Sequence, residues 1–250
     1  MQTKSLRDQL LEKVKPEHQN NDQESLDWIR LNKPNFDVLN SKIPEEIKRV
    51  TEIKPWDYFK DTFYFSKRTL RCIHGKNHAI RVAINILLLY FECRPEKEIA
   101  INDLIYSALF HDCSRINDNK DIGHGERSSE LLKSMAVASE IEIKDLKSVL
   151  NSIGFHDLNY EKFESKPNYT QSKTLCDLLK TADGLDRYRF PRNDWWIDDK
   201  YLKIIPSDTL KNFAFNLSVN SEQEKLTNSD VNYNKVITKI IDNYSEIPHV

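Results

Sequence analysis

The stretch His-Ala-Ile-Arg-Val-Ala-Ile-Asn-Ile-Leu-Leu-Leu-Tyr-Phe-Glu-Cys, residues 78–93, decides the fold predicted for this chain. It is apolar nearly all round, which is typical of a helix that other helices surround. The helical pattern resumes over residues 96–112, where Leu104, Ala108 and His111 share one face. The sequence therefore predicts a buried central helix that begins at a histidine, beside a second helix that ends on a His-Asp pair.

The rest of the chain favours helices as well. It has only five glycines in 250 residues, and its apolar residues recur at spacings of three and four. We therefore predict an all-α helical bundle, closed by helices near 207–219 and 229–245. The charged first 55 residues, interrupted by the polar stretch 16–24, predict an N-terminal helical extension of two short helices. Residues 56–250 are expected to form one domain.

Charge and composition exclude several classes of function. A net charge of −2 gives no general attraction to anionic polymers, so long nucleic acids are not expected as partners. The N-terminus lacks an apolar signal region and the chain has no run of about 18 apolar residues, so no membrane association and a cytoplasmic location are expected. The four cysteines lack Cys-x-x-Cys spacing, which predicts reduced, mostly buried thiols instead of a disulfide framework.

Histidines are concentrated in one third of the chain, where five of the seven occur: His74, His78, His111, His124 and His156. Several of them continue the apolar face of a predicted helix, and a buried imidazole needs a partner. Such a convergence of inward-facing histidines is what a metal site in the core of a helical bundle requires.

Four residues are the candidate ligands of one metal ion: His78, His111, Asp112 and Asp183. Imidazole nitrogen and carboxylate oxygen together suit Mn, Fe, Co, Ni or Zn and do not select among them, while Mg is less natural with several histidines. No serine or cysteine with a positioned base stands out in the sequence. This points to water as the attacking group of a hydrolytic reaction.

Three segments, 74–82, 110–112 and 180–187, resemble in this order the motifs of the HD-domain family of metal-dependent phosphohydrolases. The surroundings at 115–118 and 124–128 are similar to a little-characterised bacterial branch of that family.

The resemblance covers a motif core at 70–205, and it implies that 56–250 is an HD-type catalytic domain. It also implies hydrolysis of a small phosphorylated molecule, with a nucleotide as the first candidate. Two-metal members carry extra histidines between the His-Asp pair and the last aspartate. His124 and His156 stand in that interval, so we expect one or two ions, with phosphate binding, proton donation or core hydrogen bonding as other roles for these two histidines.

Basic residues near the motifs are the candidates for binding the substrate phosphate: Lys76, Arg81, Arg115 and Arg127. His74 is expected to contact a ligand, and Asp186 to pair with an arginine, namely Arg115, Arg187 or Arg189. The aromatic stretch 56–65 predicts core packing, with a wall or lid of the substrate pocket as the second interpretation.

Two other functions remain open at this point. A few members of the wider superfamily use a di-iron site for oxygen chemistry, and the same His/Asp set could build one. The fold could also serve as a non-catalytic nucleotide-sensing module, although candidate ligands at every motif position argue against that reading. The sequence does not fix the oligomeric state, and a homo-oligomer is one alternative.

Overall fold

A computed structural model describes residues 4–37, 43–138, 141–228 and 230–245 of the chain. In this part of the chain the backbone forms α-helices and short 3₁₀ helices, and no β-strand is present. The predicted all-α class is confirmed. No helix among these residues is long and apolar enough to cross a membrane.

The α-helices, in chain order, are α1 Leu6–Leu11, α2 Gln23–Leu31, α3 Ile43–Ile53, α4 Lys67–Arg71, α5 Lys76–Cys93, α6 Ile101–Phe110, α7 His124–Val137, α8 Leu146–Phe155, α9 Pro167–Leu185, α10 Asp208–Thr227 and α11 Tyr233–Ser245. The 3₁₀ helices are Pro55–Tyr58, Asp61–Phe63, Tyr160–Lys162, Asp186–Arg189, Asn193–Trp195 and Asp199–Tyr201.

Helix α5 lies at the centre of the bundle. It packs against α6, α9, α10 and α3, which explains why it is apolar on every side. Its run Leu87, Leu88 and Leu89 is buried throughout, and each such side chain contributes about 1.5–3 kcal/mol through burial. Three polar residues of this helix, His78, Arg81 and Asn85, are fully buried as well.

Two predicted helices differ from the observed ones in their bounds. The helix expected over 96–112 begins at Ile101 and ends at Phe110, because Ala100 has extended backbone and acts as the N-cap. The helix expected over 207–219 continues to Thr227. Its later turns bury polar residues such as Ser221 and Glu222, so the apolar periodicity fades before the helix ends. For the last helix, position 229 lies outside the described residues.

Within the described residues 4–37 and 43–55, three α-helices are present where the sequence predicted two. Leu26 and Ile29 of α2 and Ile47 and Val50 of α3 are buried in the same core as α5. The division into an extension and a catalytic domain stays a prediction. The aromatic stretch 56–65 contributes to core packing, as expected, since the ring centroids of Phe63 and Phe110 lie 4.5 Å apart.

Candidate metal centre

His78 lies in the first turn of α5 and is fully buried. The helix can begin here because Gly75 passes close to the preceding turn: a Cβ at Gly75 would lie 2.1 Å from the carbonyl oxygen of Leu70. The Nδ1 of His78 lies 2.7 Å from a carboxylate oxygen of Asp186. This contact fixes the ring and directs its Nε2 toward the interior of the bundle.

His111 and Asp112 follow the last turn of α6. The Nδ1 of His111 lies 2.6 Å from the carbonyl oxygen of Ala108, which can only accept a hydrogen bond. Burial, with the nearby His78 and His156, lowers the pKa of His111 to about 3. His111 is therefore a neutral imidazole with its proton on Nδ1 and a lone pair on Nε2.

The two Nε2 atoms of His78 and His111 lie only 2.9 Å apart. Since the Nδ1 of each ring faces a hydrogen-bond acceptor, the two Nε2 atoms face each other, and a cation between them could be bound by both. Asp183 Oδ1 lies 3.4 Å from the Nε2 of His78, and Asp112 Oδ2 lies 3.5 Å from it. His78, His111 and Asp183 form a group of donors that could hold a divalent metal ion, and Asp112 lies beside it.

A second pair of imidazoles faces the other oxygen of Asp112. The Nε2 atoms of His124 and His156 lie 2.9 and 3.3 Å from Asp112 Oδ1, and 3.1 Å from each other. Their Nδ1 atoms lie 2.6 and 2.7 Å from the carbonyl oxygens of Asp121 and Ile153. Asp112 is thus shared by two groups of imidazole nitrogens.

Glycine allows this second pair to form. His124 begins α7 and His156 follows the last residue of α8. Between these two helices, a Cβ on Gly125 would lie 2.6 Å from the carbonyl oxygen of Ile153 and 3.0 Å from the Nδ1 of His156. A larger residue at position 125 would therefore push α7 away from the end of α8.

The carboxylates of the centre are held in the charged state. Burial alone would raise the pKa of Asp112, but Arg115, His111 and His124 outweigh it and hold this pKa well below its usual value. Burial would also raise the pKa of Asp183, but the neighbouring groups, of which His78 has the largest effect, hold this pKa below its usual value. Two anions are therefore available to neutralise bound cations.

His74 contacts the centre, as the sequence predicted. Its Nδ1 lies 2.7 Å from Asp112 Oδ2, and Nη2 of Arg189 lies 3.2 Å from the same nitrogen. Its ring also lies close enough to His78 and Asp112 to count as a further candidate ligand. Burial lowers the pKa of His74 well below its usual value, so this ring is neutral.

A buried ion-pair network supports His78 from behind. Arg81 donates to both oxygens of Asp186 and, at 2.7 Å, to Glu222 of α10. Asp186 also pairs with Arg189 at 3.4 Å, one of its three expected partners. Sequence reasoning missed the pairing with Arg81, although this arginine follows His78 by one helical turn. No sequence signal could have identified Glu222.

The centre forms part of the floor of a cavity of about 650 Å³, to which Asp112, His124, His156 and Asp183 contribute. The rest of the lining includes basic, aromatic and acidic side chains: Arg115, Lys180, Arg187, Arg189, Lys200, Trp195, Trp196, Tyr201, Asp157, Asp194 and Asp198.

Of the four predicted phosphate-binding residues, Arg115 lines this cavity, and its Nη1 lies 3.6 Å from Asp112 Oδ1. The other three have other contacts and lie outside the lining. Lys76 pairs with Asp230 at 3.0 Å, Arg127 pairs with Asp121 at 2.7 Å, and Arg81 belongs to the buried network.

Sequence reasoning did not select Lys180, which lies three residues before Asp183 on α9. Its ammonium group donates to the carbonyl oxygens of His156 and Leu158 at 2.8 and 2.7 Å. It thereby fixes the end of α8 beside the cavity and keeps one donor for a ligand. Its position within the last motif, one helical turn from a ligand, was the signal that could have identified it.

Family models, curated proteins and solved structures were each compared with this chain, and none matched.

Proposed function

We propose that this protein is a metal-dependent phosphohydrolase of the HD type that acts on a small phosphorylated molecule, with a nucleotide as the first candidate. One observation carries the proposal: two pairs of imidazole nitrogens face the two oxygens of Asp112, which lines a cavity together with five arginine and lysine side chains. Phosphate binds at arginine and lysine side chains, and His/Asp sets of this kind hold metals that activate water.

The donors divide into two groups around Asp112. His78, His111 and Asp183 surround one carboxylate oxygen, and His124 and His156 face the other. When bound, divalent ions such as Mn, Fe, Co, Ni or Zn supply a water of lowered pKa and positive charge against phosphate oxygens. The chain's own part is to orient these imidazoles through their Nδ1 contacts.

Substrate orientation is assigned to the cavity walls. Arg115 lies beside Asp112, and Lys180 and Arg187 line the same cavity, so a phosphate above the centre would meet positive charge from several sides. Trp195 and Tyr201 add flat aromatic surfaces on which a nucleobase can stack. This combination of cationic and aromatic walls supports a nucleotide over a simple sugar phosphate.

Water is the proposed nucleophile. Among the described residues, the cavity lining contains no serine, threonine or cysteine that could attack phosphorus in place of water. The arrangement therefore supports water as the nucleophile in place of a serine, threonine or cysteine side chain.

A metal analysis combined with a panel of phosphoesters tests the proposal. The purified full chain is assayed against mono-, di-, tri- and cyclic nucleotides and non-nucleotide phosphoesters. We expect hydrolysis that a chelator abolishes and that Mn or a similar ion restores. If no phosphoester is cleaved with any divalent ion, the proposal fails.

The carboxylate shared by two groups of imidazoles also suits a pair of iron ions, which keeps a di-iron oxygenase as the second candidate. An absorption spectrum of the iron-loaded protein in air distinguishes the two. A spectrum without iron-to-ligand bands, together with phosphoester hydrolysis, would exclude the oxygenase.

A further inference from the structure

A second set of metal-binding donors lies outside the centre. A ring nitrogen of His18, the sulfur of Cys72 and a carboxylate oxygen of Asp118 lie within 4.8 Å of one another. Cys72 is fully enclosed and its thiol donates to Asp118 Oδ1 at 2.9 Å. The three residues come from separate parts of the chain, namely the α1–α2 loop, the end of α4 and the α6–α7 loop.

Backbone hydrogen bonds hold these three segments together. The amide of Gln19 donates to Asp118 Oδ2, and the amide of Asp118 donates to the carbonyl of Glu17 at 2.7 Å. The amide of Ile73, next to Cys72, donates to the carbonyl of Gln19 at 2.8 Å. The donors are therefore already assembled, so little chain ordering is needed when a ligand binds.

The imidazole of His18 supplies an independent indication. Its Nδ1 is buried yet has no hydrogen-bond partner among the described residues. A buried polar atom without a partner costs about 1–3 kcal/mol, and a bound metal ion is one way to satisfy such an imidazole.

A cavity lies beside Cys72. This residue lines a cavity of about 470 Å³, together with Lys76, Asn77, Lys225 and Asp230. The cavity is separate from the one above the His/Asp centre, since the two share no lining residue.

We propose that His18, Cys72 and Asp118 form a distinct site for a thiophilic divalent metal ion, with Zn²⁺ as the best fit. Sulfur, nitrogen and oxygen donors together suit Zn²⁺ and disfavour Mg²⁺ and Ca²⁺. Tetrahedral Zn²⁺ places its donors ~3.5 Å apart, so the present separations need only small adjustments. A fourth position is left for water. The ion would join the N-terminal segment to the loop that follows the His-Asp pair.

Cobalt substitution tests this site directly, because a cysteine thiolate bound to Co²⁺ gives a charge-transfer band in the near ultraviolet. The His/Asp centre includes no cysteine among its candidate ligands, so the band reports the new site and does not depend on the proposed hydrolase function. Titration of the full chain with Co²⁺ should produce the band, and Zn²⁺ should remove it by competition.

Four variants complete the experiment. Cys72→Ala should lose the band, while Cys176→Ala, which alters a buried thiol elsewhere, should keep it. His18→Gln changes a half-buried loop residue, so folding is retained, and it should weaken Co²⁺ binding by about 10- to 100-fold. Asp112→Ala should leave the band in place. Absence of the band from the folded wild type, or its persistence at full strength in His18→Gln and Cys72→Ala, would overturn the proposal.

Discussion

The two halves of the proposed metal centre differ in how they are enclosed and held. The inner half, His78, His111 and Asp183 around Asp112 Oδ2, contains two histidines with no exposed surface. The outer half, His124 and His156 at Asp112 Oδ1, retains 6% and 7% exposure and lines the cavity. The inner histidines are fully enclosed in the bundle, while the outer ones line the cavity and would contact a molecule bound there.

The contacts that orient the histidine rings also differ between the two halves. His78 is oriented by the charged Asp186, which Arg81 and Arg189 hold in turn. The Nδ1 atoms of the inner His111 and of the outer His124 and His156 face backbone carbonyls at hydrogen-bonding distance, so the carboxylate anchor is found at one inner histidine and at neither outer one. A carboxylate behind an imidazole raises its basicity as a metal ligand more than a carbonyl does. We therefore expect tighter binding in the inner half, and ion exchange and substrate contact in the outer half.

The largest effect is expected from Asp112→Ala, because this carboxylate belongs to both halves. The variant should lose metal from both positions, and turnover should fall by about 10³-fold. Asp177→Ala is the control. It removes another buried carboxylate, which lies on α9 and accepts hydrogen bonds from Tyr160 and Tyr169, and this variant should retain metal. Elemental analysis of both variants measures the difference. Full metal occupancy in Asp112→Ala would refute the shared ligand.

Substitution of the outer histidines separates the two halves. His124→Ala and His156→Ala should each lower the metal content from two ions toward one, and turnover should fall by about 10²-fold. The inner ion should stay bound, because His78 and His111 are unchanged. Metal content and rate are measured on the same samples. Unchanged content together with near-normal turnover would mean that these histidines are structural.

The anchor of the inner half is tested by a matched pair of variants. Asp186→Asn and Glu222→Gln each remove a charged partner of Arg81, but only Asp186 contacts His78. Both should lower the free energy of unfolding by about 3–5 kcal/mol, because a buried charge loses its partner. Asp186→Asn should in addition weaken metal binding by about 10- to 100-fold. Equal metal affinity in the two variants would contradict the anchoring role.

The smallest effect is expected at the cavity wall. Lys180→Met should raise KM for a phosphorylated substrate by about tenfold, because one charge-assisted hydrogen bond is lost. Lys200→Met is the control, since Lys200 lines the same cavity but is largely exposed and pairs with Asp198. Steady-state kinetics with both variants decide the assignment. A larger rise in KM for Lys200→Met would place the phosphate elsewhere.

The sequence was sufficient to predict the all-α class, and the histidines and aspartates that it indicated as ligands lie close together in the structure. A buried histidine that continues an apolar face needs a partner, and His111, His124 and His156 each met that condition. Their convergence follows from helix periodicity alone. Glycines 75 and 125 give no comparable signal, because close approach between segments depends on packing and not on a local pattern.

The supporting residues could not be predicted for a different reason. Arg81 and Glu222 are 141 residues apart in the chain, and each looks like an exposed charge on its own helix. Only the assembled bundle shows that both are buried and paired. The same holds for His18, Cys72 and Asp118, whose spacing matches no local metal-binding motif.

Anomalous diffraction from crystals of the Mn-loaded full chain tests the central claim most directly. The account predicts two peaks about 3.5–4 Å apart, one between His78 and His111 and the other between His124 and His156, with Asp112 bridging them. A fully loaded crystal with no peak within coordination distance of Asp112, or with a single peak there at saturating metal, would contradict it.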